Sequence, residues 1–293
     1  MLAQSAAEAF DSEQHLFEVK WDGTRCIAYI EPGKVRLENR RFIEMYPRYP
    51  EFSGLGKLPA GTILDGEIVV LDNGKPSFSK LQRREHLLDP NRIDMVRQRL
   101  PATFIVFDLL YLKGRGMMNC HLLERRQALK PLIEKLNDPH LIVSDYITGL
   151  GRKYFEGIEK LGFEGMMAKR LDSVYRSGKR SKDWLKIKVA QTASYAILGF
   201  VPIEGTEKMG ALIIGEQRGR TWVYKGKVGT GFSDRERQEF YKHLIMGASL
   251  PKPPRDGPED AIWRSTGMQC KVRFLEKTGA GKLRAPVFVG MTG

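Results

Sequence analysis

Residues 15–30, HLFEVKWDGTRCIAYI, leave the backbone few paths. Phe17, Val19 and Trp21 alternate with Glu18, Lys20 and Asp22. Successive strand side chains point to opposite faces, so the apolar set is expected against a core. Glu18 and Lys20 then share the other face. Asp22-Gly23 reads as a tight turn, with RCIAYI as the returning strand. A lone strand lysine beside a turn is ordinarily just solvated. Here the pattern recurs. LDGEIVV (64–70) sets Asp65 and Glu67 opposite Gly66 and Ile68, and WLKIK (184–188) sets Lys186 and Lys188 opposite Leu185 and Ile187. EGMMAKR (164–170) opens on Glu164 ahead of an apolar middle.

Brought onto one concave face, these strands make a cleft of mixed carboxylates and ammonium groups. That suits a nucleoside triphosphate: cations meet the phosphates, while Glu67 and Glu164 hold a hard divalent metal with its waters. Such a cleft also lets a lysine act as a nucleophile. An unperturbed lysine, with a pKa of about 10.4, is neutral in fewer than roughly one molecule in a thousand at pH 7. Lys186, Lys188, Arg25, a bound metal and burial behind Trp21 disfavour the ammonium form of Lys20, whereas Glu18 and Asp22 favour it. Lys169 reads as solvated and Asp65 as a cap on local backbone, so neither is given a role.

The chain has 48 Lys+Arg against 35 Asp+Glu, a formal net charge of +13. This favours a polyanionic partner, nucleic acid before an anionic membrane surface. No basic amphipathic helix of the membrane-surface kind stands out, and no apolar run approaches a membrane span. The opening MLAQSAAEAFDSEQ lacks the pattern of a secretory signal. Cys26, Cys120 and Cys270 are scattered and odd in number, which argues against a disulfide framework and for a reducing compartment. The five histidines are scattered too, so a zinc site is not expected.

TILDGEIVVLD (62–72) and ATFIVFDLLYL (102–112) read as strands. LLERRQALKPLIEKL (122–136) has helical spacing, with a kink or break possible at Pro131. RKYFEGIEKLG (152–162) reads as a helix closing on Gly162. Beyond residue 190 the runs shorten. SDRERQEFYKHLI carries a capping box of Ser233 and Glu236, LPKPPRDGP is a loop, and MQCKVRFLEK (268–277) is expected as a last long strand. The expected fold is α+β with two domains: residues 1–189 mixed α/β with antiparallel sheets, and 190–293 a small barrel of the OB type.

KWDGTR (20–25) resembles the K-x-D-G-x-R signature of the covalent nucleotidyltransferases, an ATP-grasp-like superfamily of ATP-dependent DNA ligases, RNA ligases and mRNA capping enzymes. LDGEIVV, FIVFDLLYL, EGMMAKR and WLKIK follow in the family's order. YRSGKRSKDWLKIK and FLEKTGAGKLRAPVFVG resemble the minimal bacterial and archaeal DNA ligases, including the end-joining branch that serves DNA repair and recombination. The resemblance implies that Lys20 takes AMP from ATP and passes it to the 5′-phosphate of a nick, which the 3′-hydroxyl then seals. It further implies adenine reading by Glu18 and stacking on Phe107. Arg25 and Arg40 are implied on the ribose or nick phosphate, Glu67 and Glu164 on Mg²⁺ or Mn²⁺, Glu67 also on the ribose, and Lys186 and Lys188 on the α-phosphate. Without the match, Phe107 would read as core and Arg40 as an exposed loop cation.

The implied partners are nicked or broken duplex DNA and a Ku-type end-binding protein, with the enzyme a monomer in the prokaryotic cytoplasm beside the nucleoid. The final VFVGMTG lacks the basic-x-Asp-Lys ending usual in these ligases, from which slowed lysine adenylation is expected. Two other readings share parts of the pattern: an RNA ligase or capping-type enzyme, and a non-catalytic basic nucleic-acid-binding module.

Overall fold

The computed structural model describes residues 1–292, and the chain divides into two compact units, Met1–Val189 and the remainder from Ala190. In the first unit the alternating segments form strands as their periodicity requires. They are β1 (Leu2–Ser5), β2 (Ser12–Val19), β3 (Thr24–Glu31), β4 (Lys34–Asn39) and β5 (Thr62–Asp72). Helices α1 (Phe78–Glu85) and α2 (Pro90–Arg97) follow, then β6 (Ala102–Leu112) and α3 (Leu122–Glu134). The unit ends with β7 (Leu141–Val143), β8 (Tyr146–Gly149), α4 (Gly151–Leu161), β9 (Gly165–Arg170) and β10 (Arg180–Lys188).

These strands build two sheets. One runs β1-β10-β9-β2-β8, and the other β4-β3-β5-β6 with β7 on β6. Pairing is antiparallel except for β1 on β10 and β7 on β6. The back of the first sheet buries Phe17, Met166, Ala168 and Ile187 against Ile158 of α4. The back of the second buries Ala28, Leu64, Ile68 and Phe104 with Leu129 and Ile133 of α3. Between the sheets lies a third cluster that includes Phe107, Leu110, Tyr175 and Trp184. The charged pairs are divided between two sheets. They face one another across the gap between the two.

Local chemistry accounts for the ends and turns. α4 stops at Gly162, whose left-handed backbone (φ 75°) only glycine adopts at little cost. α3 continues through Pro131 without a break. Its buried residues pack on β6 and outweigh the lost hydrogen bond, and the helix ends three residues later. Gly23 is fixed by space: a Cβ there would meet the Ile68 carbonyl oxygen at 2.1 Å. The link carrying Lys20 can thus lie directly on β5.

The second unit comprises β11 (Gln191–Pro202), β12 (Met209–Arg218), β13 (Thr221–Val228), α5 (Asp234–Ile245), β14 (Gln269–Phe274) and β15 (Val287–Thr292). The strand order is β13-β12-β11-β14-β15. A parallel bridge from Thr230 to Val287, with the Phe288 amide donating to the Thr230 carbonyl (2.9 Å), closes it into the five-stranded OB barrel. The capping box of Ser233 and Glu236 is present. The segment 268–277 is not one last strand. It stops at Phe274, continues as a two-residue hairpin (Glu276–Lys277 with Leu283–Arg284), and leaves β15 to complete the barrel.

Candidate active site

The cleft of the first unit is lined from both sheets. Glu18, Lys20, Trp21, Lys169 and Trp184 line it from one side, and Arg25, Glu67 and Phe107 from the other. Lys20 follows the last residue of β2, and its amide donates to the Gly165 carbonyl (2.9 Å). Its ammonium group is ion-paired with Glu164. Lys188 Nζ holds the other oxygen of the same carboxylate at 2.7 Å. Burial works against ionisation of Glu164, but Lys20 and Lys188 hold its carboxyl below the usual carboxylate range. The acid facing Lys20 is therefore Glu164, not the neighbouring Glu18 of the sequence reading.

Glu18 is buried and points to two other cations. It is ion-paired with Lys169, and Arg126 Nη1 lies 3.3 Å from it. Arg126 also donates to the carbonyls of Phe107 (2.7 Å) and Ser144. Lys169 is not solvated. It is buried with its Nζ 4.2 Å from the Phe107 ring centroid and 4.1 Å from that of Trp184, a cation–π sandwich. Burial pushes the Lys169 ammonium towards deprotonation and Glu18 opposes this. The register explains the placement: opposite Lys169 stands Trp184, and opposite Met167 stand Glu18 and Lys186. Sequence parity places these residues on one face only once the pairing is known.

Asp65 does not cap local backbone. It is fully buried and takes a two-point bond from Arg25 (Nε 2.9 Å, Nη2 2.6 Å) and a third from the Tyr175 hydroxyl (2.8 Å). Arg25 Nη1 also donates to the Met1 carbonyl (2.7 Å), and its guanidinium sits 5.5 Å from the Phe107 ring centroid. Trp21 leaves the core face predicted for it. It lies past the end of β2, where its indole N–H donates to Ser144 Oγ (3.3 Å). Arg40 sits on an exposed turn after β4 and is not among the cleft-lining residues; nor are Lys186, Glu164 and Lys188, of which the last two are tied to the cleft through the ion pair of Glu164 with Lys20.

Burial raises the Glu67 carboxyl to about 8, with Lys20 and Arg25 opposing. A divalent cation beside it would replace that proton. Among the described residues no group of three or more His, Cys, Asp or Glu gathers as a metal cage. Glu67 and Glu164 fit the other mode, in which Mg²⁺ takes one or two carboxylates and completes its shell with phosphates and water.

A two-sheet unit with a lysine in its cleft, joined in one chain to an OB barrel, is the architecture of the covalent nucleotidyltransferases. Residues 1–188 match the family described as ATP dependent DNA ligase domain, and residues 205–292 the family described as ATP dependent DNA ligase C terminal region. The chain belongs to the ATP-dependent DNA ligases. It is 33% identical to the multifunctional non-homologous end joining protein LigD of Mycolicibacterium smegmatis, over 99% of this chain and 38% of that protein. The chain thus spans little more than a third of the length of such relatives. The solved ligase domain of M. tuberculosis LigD superposes with a TM-score of 0.60 at 32% identity, covering 100% of this chain and 94% of that one. A mycobacterial DNA ligase D complexed with ATP and MES gives 0.58 at 32% identity, with the same coverage. The prophage-derived DNA ligase-like protein LigB of Bacillus subtilis is 27% identical over 98% of this chain and 96% of its own length.

Proposed function

We propose that this chain seals DNA nicks through an adenylated Lys20. The observation that carries the reading is the ion-paired trio Lys20–Glu164–Lys188 at the cleft. It sets a primary amine beside a second cation able to hold phosphate. In the first step the neutral Lys20 amine attacks the α-phosphorus of ATP. A P–N bond forms and pyrophosphate leaves with the electron pair of the broken P–O bond. An oxygen of the DNA 5′-phosphate then displaces the lysine, and the 3′-hydroxyl displaces AMP. A divalent cation held by Glu67 and Glu164 would neutralise phosphate charge. The ammonium of Lys20 must leave Glu164 and lose its proton before it can attack. Lys188, and Lys186 on the same strand face, hold the α-phosphate.

The base pocket follows from the buried pair. Adenine offers a donor at its amino group beside an acceptor at N1, and Glu18 with Lys169 presents the matching acceptor and donor. Phe107 supplies the stacking face. Arg25, fixed by Asp65, supplies a cation near the sugar, and Arg40 one for the nick. The resemblance to the end-joining protein LigD supports a role at broken DNA ends; a bacterial cell, a monomeric state, a place beside the nucleoid and a Ku-type partner belong to the same proposal. Among the described residues no helix is long and apolar enough to cross a membrane.

The test is incubation with α-labelled ATP and Mg²⁺, followed by nicked DNA or nicked RNA. Label is expected on the protein, then on DNA 5′-ends, then lost as sealed product forms. Lys20→Ala is expected to remove all three signals. Label retained on that variant would rule out Lys20, and label passed only to RNA would favour the RNA-ligase reading.

A further inference from the structure

The hairpin after β4 carries a side chain that its backbone does not favour. Glu38 pairs with Glu44, the Asn39 amide donates to the Ile43 carbonyl (3.1 Å), and the Phe42 amide donates to the Asn39 carbonyl (2.9 Å). Only Arg40, Arg41 and Phe42 lie between, a three-residue loop. Such loops close on a residue in the left-handed region, where glycine is the favoured choice. Here that residue is Phe42, at φ 59° and 85% exposed. A bulky residue at positive φ is an outlier. Outliers that the surroundings enforce concentrate at functional positions. The Asn39 side chain does the enforcing, accepting from the amides of Arg41 (2.9 Å) and Ile43 (3.1 Å). Both arginines of the loop are exposed, and neither is ion-paired among the described residues.

The location gives the loop a use. The register sets Asn39 beside Cys26 and Arg25 beside Glu67. The loop therefore projects from the end of the sheet at which the Lys20–Gly23 link enters β3. A duplex that brought a 5′-phosphate to Lys20 would approach the same end of the sheet.

We propose that Phe42 is a nucleic-acid contact: its ring packs on a base or deoxyribose of nicked duplex DNA while Arg41 meets a neighbouring phosphate. Aromatic packing with flanking cations holds single strands without reading their sequence, and a nick offers an interrupted stack and an exposed deoxyribose for the same contact. The proposal rests on the ligase reading above, and its test separates the two. Phe42→Gly installs the residue that the turn favours, so its melting temperature should equal or exceed that of the parent. Its Kd for nicked duplex should rise about five- to a hundredfold. Arg41→Gln should lower the slope of log affinity against log salt by about one. Lysine–AMP formation from labelled ATP without DNA should be unchanged in both variants. Unaltered DNA affinity and sealing in Phe42→Gly would overturn the proposal. So would a change confined to self-association, which would make the loop a protein surface. Absence of the adduct in the parent protein would instead strike the ligase reading, and the DNA-binding comparison would still judge Phe42.

Discussion

Lys20 and Lys169 show how one residue type takes opposite roles. Lys20 is half-buried against one carboxylate, whereas Lys169 is locked between two rings and a buried acid. Lys169→Met would leave buried Glu18 with Arg126 as its remaining cation. Because Glu18 keeps Arg126, the loss should stay below the roughly 3–5 kcal/mol of a buried charge left with no partner, and urea melts should show it. The same variant should lose discrimination of ATP from GTP in adduct formation; unchanged stability together with unchanged discrimination would refute the pairing.

Glu67 gives a pH prediction. Its carboxyl is raised by burial from 4.5 to about 8, so the folded protein holds an extra proton between these values. The group therefore contributes stability that is fully present below about pH 4.5 and is lost as pH rises through about 8. With metal chelated, the stability of the parent minus that of Glu67→Gln should fall across this window, and a flat difference would count against it. Of the cleft-lining residues, Phe107 came only from the family resemblance, whereas Glu18, Lys20 and Glu67 could be read from charge on alternating strands. Lys169 and Asp65 could not, because their partners Glu18 and Arg25 lie about 150 and 40 positions away in the chain.

At the level of elements, propensity and pattern were reliable where the signal was local. The capping box of α5, the Gly162 stop of α4 and the strands at 62–72 and 102–112 all depend on residues a few positions apart. Ser233→Ala removes the acceptor for the Glu236 amide (3.3 Å) and should cost about 1 kcal/mol, read as a lower melting temperature of the barrel unit. If the first unit's transition moved instead, α5 would have been given the wrong role. What could not be read locally was which strand joins which sheet. Charged pairs on β2 and β5 look alike in sequence yet sit on separate sheets, and the break at Phe274 depends on a hairpin that returns through Leu283–Arg284.

For the whole molecule, the net charge of +13 sets the salt response. A protein meeting six to ten phosphates loses on the order of 10³-fold or more in affinity between roughly 50 and 200 mM salt. DNA binding and nick sealing should show such a loss, while adduct formation with ATP alone should change far less. Equal sensitivity of the two steps would mean that the charge serves something other than DNA. The topology also governs how the chain is made. β1 bonds only to β10 within its sheet, with Leu2 beside Arg180. At synthesis rates of about 5–20 residues per second, the first strand waits roughly ten to thirty seconds for its partner to leave the ribosome. The edge of β9 destined for β10 is bare only at the end of that interval, from the emergence of Arg170 until Arg180 follows, so chaperone capture of the nascent chain should peak there and fade once β10 has emerged.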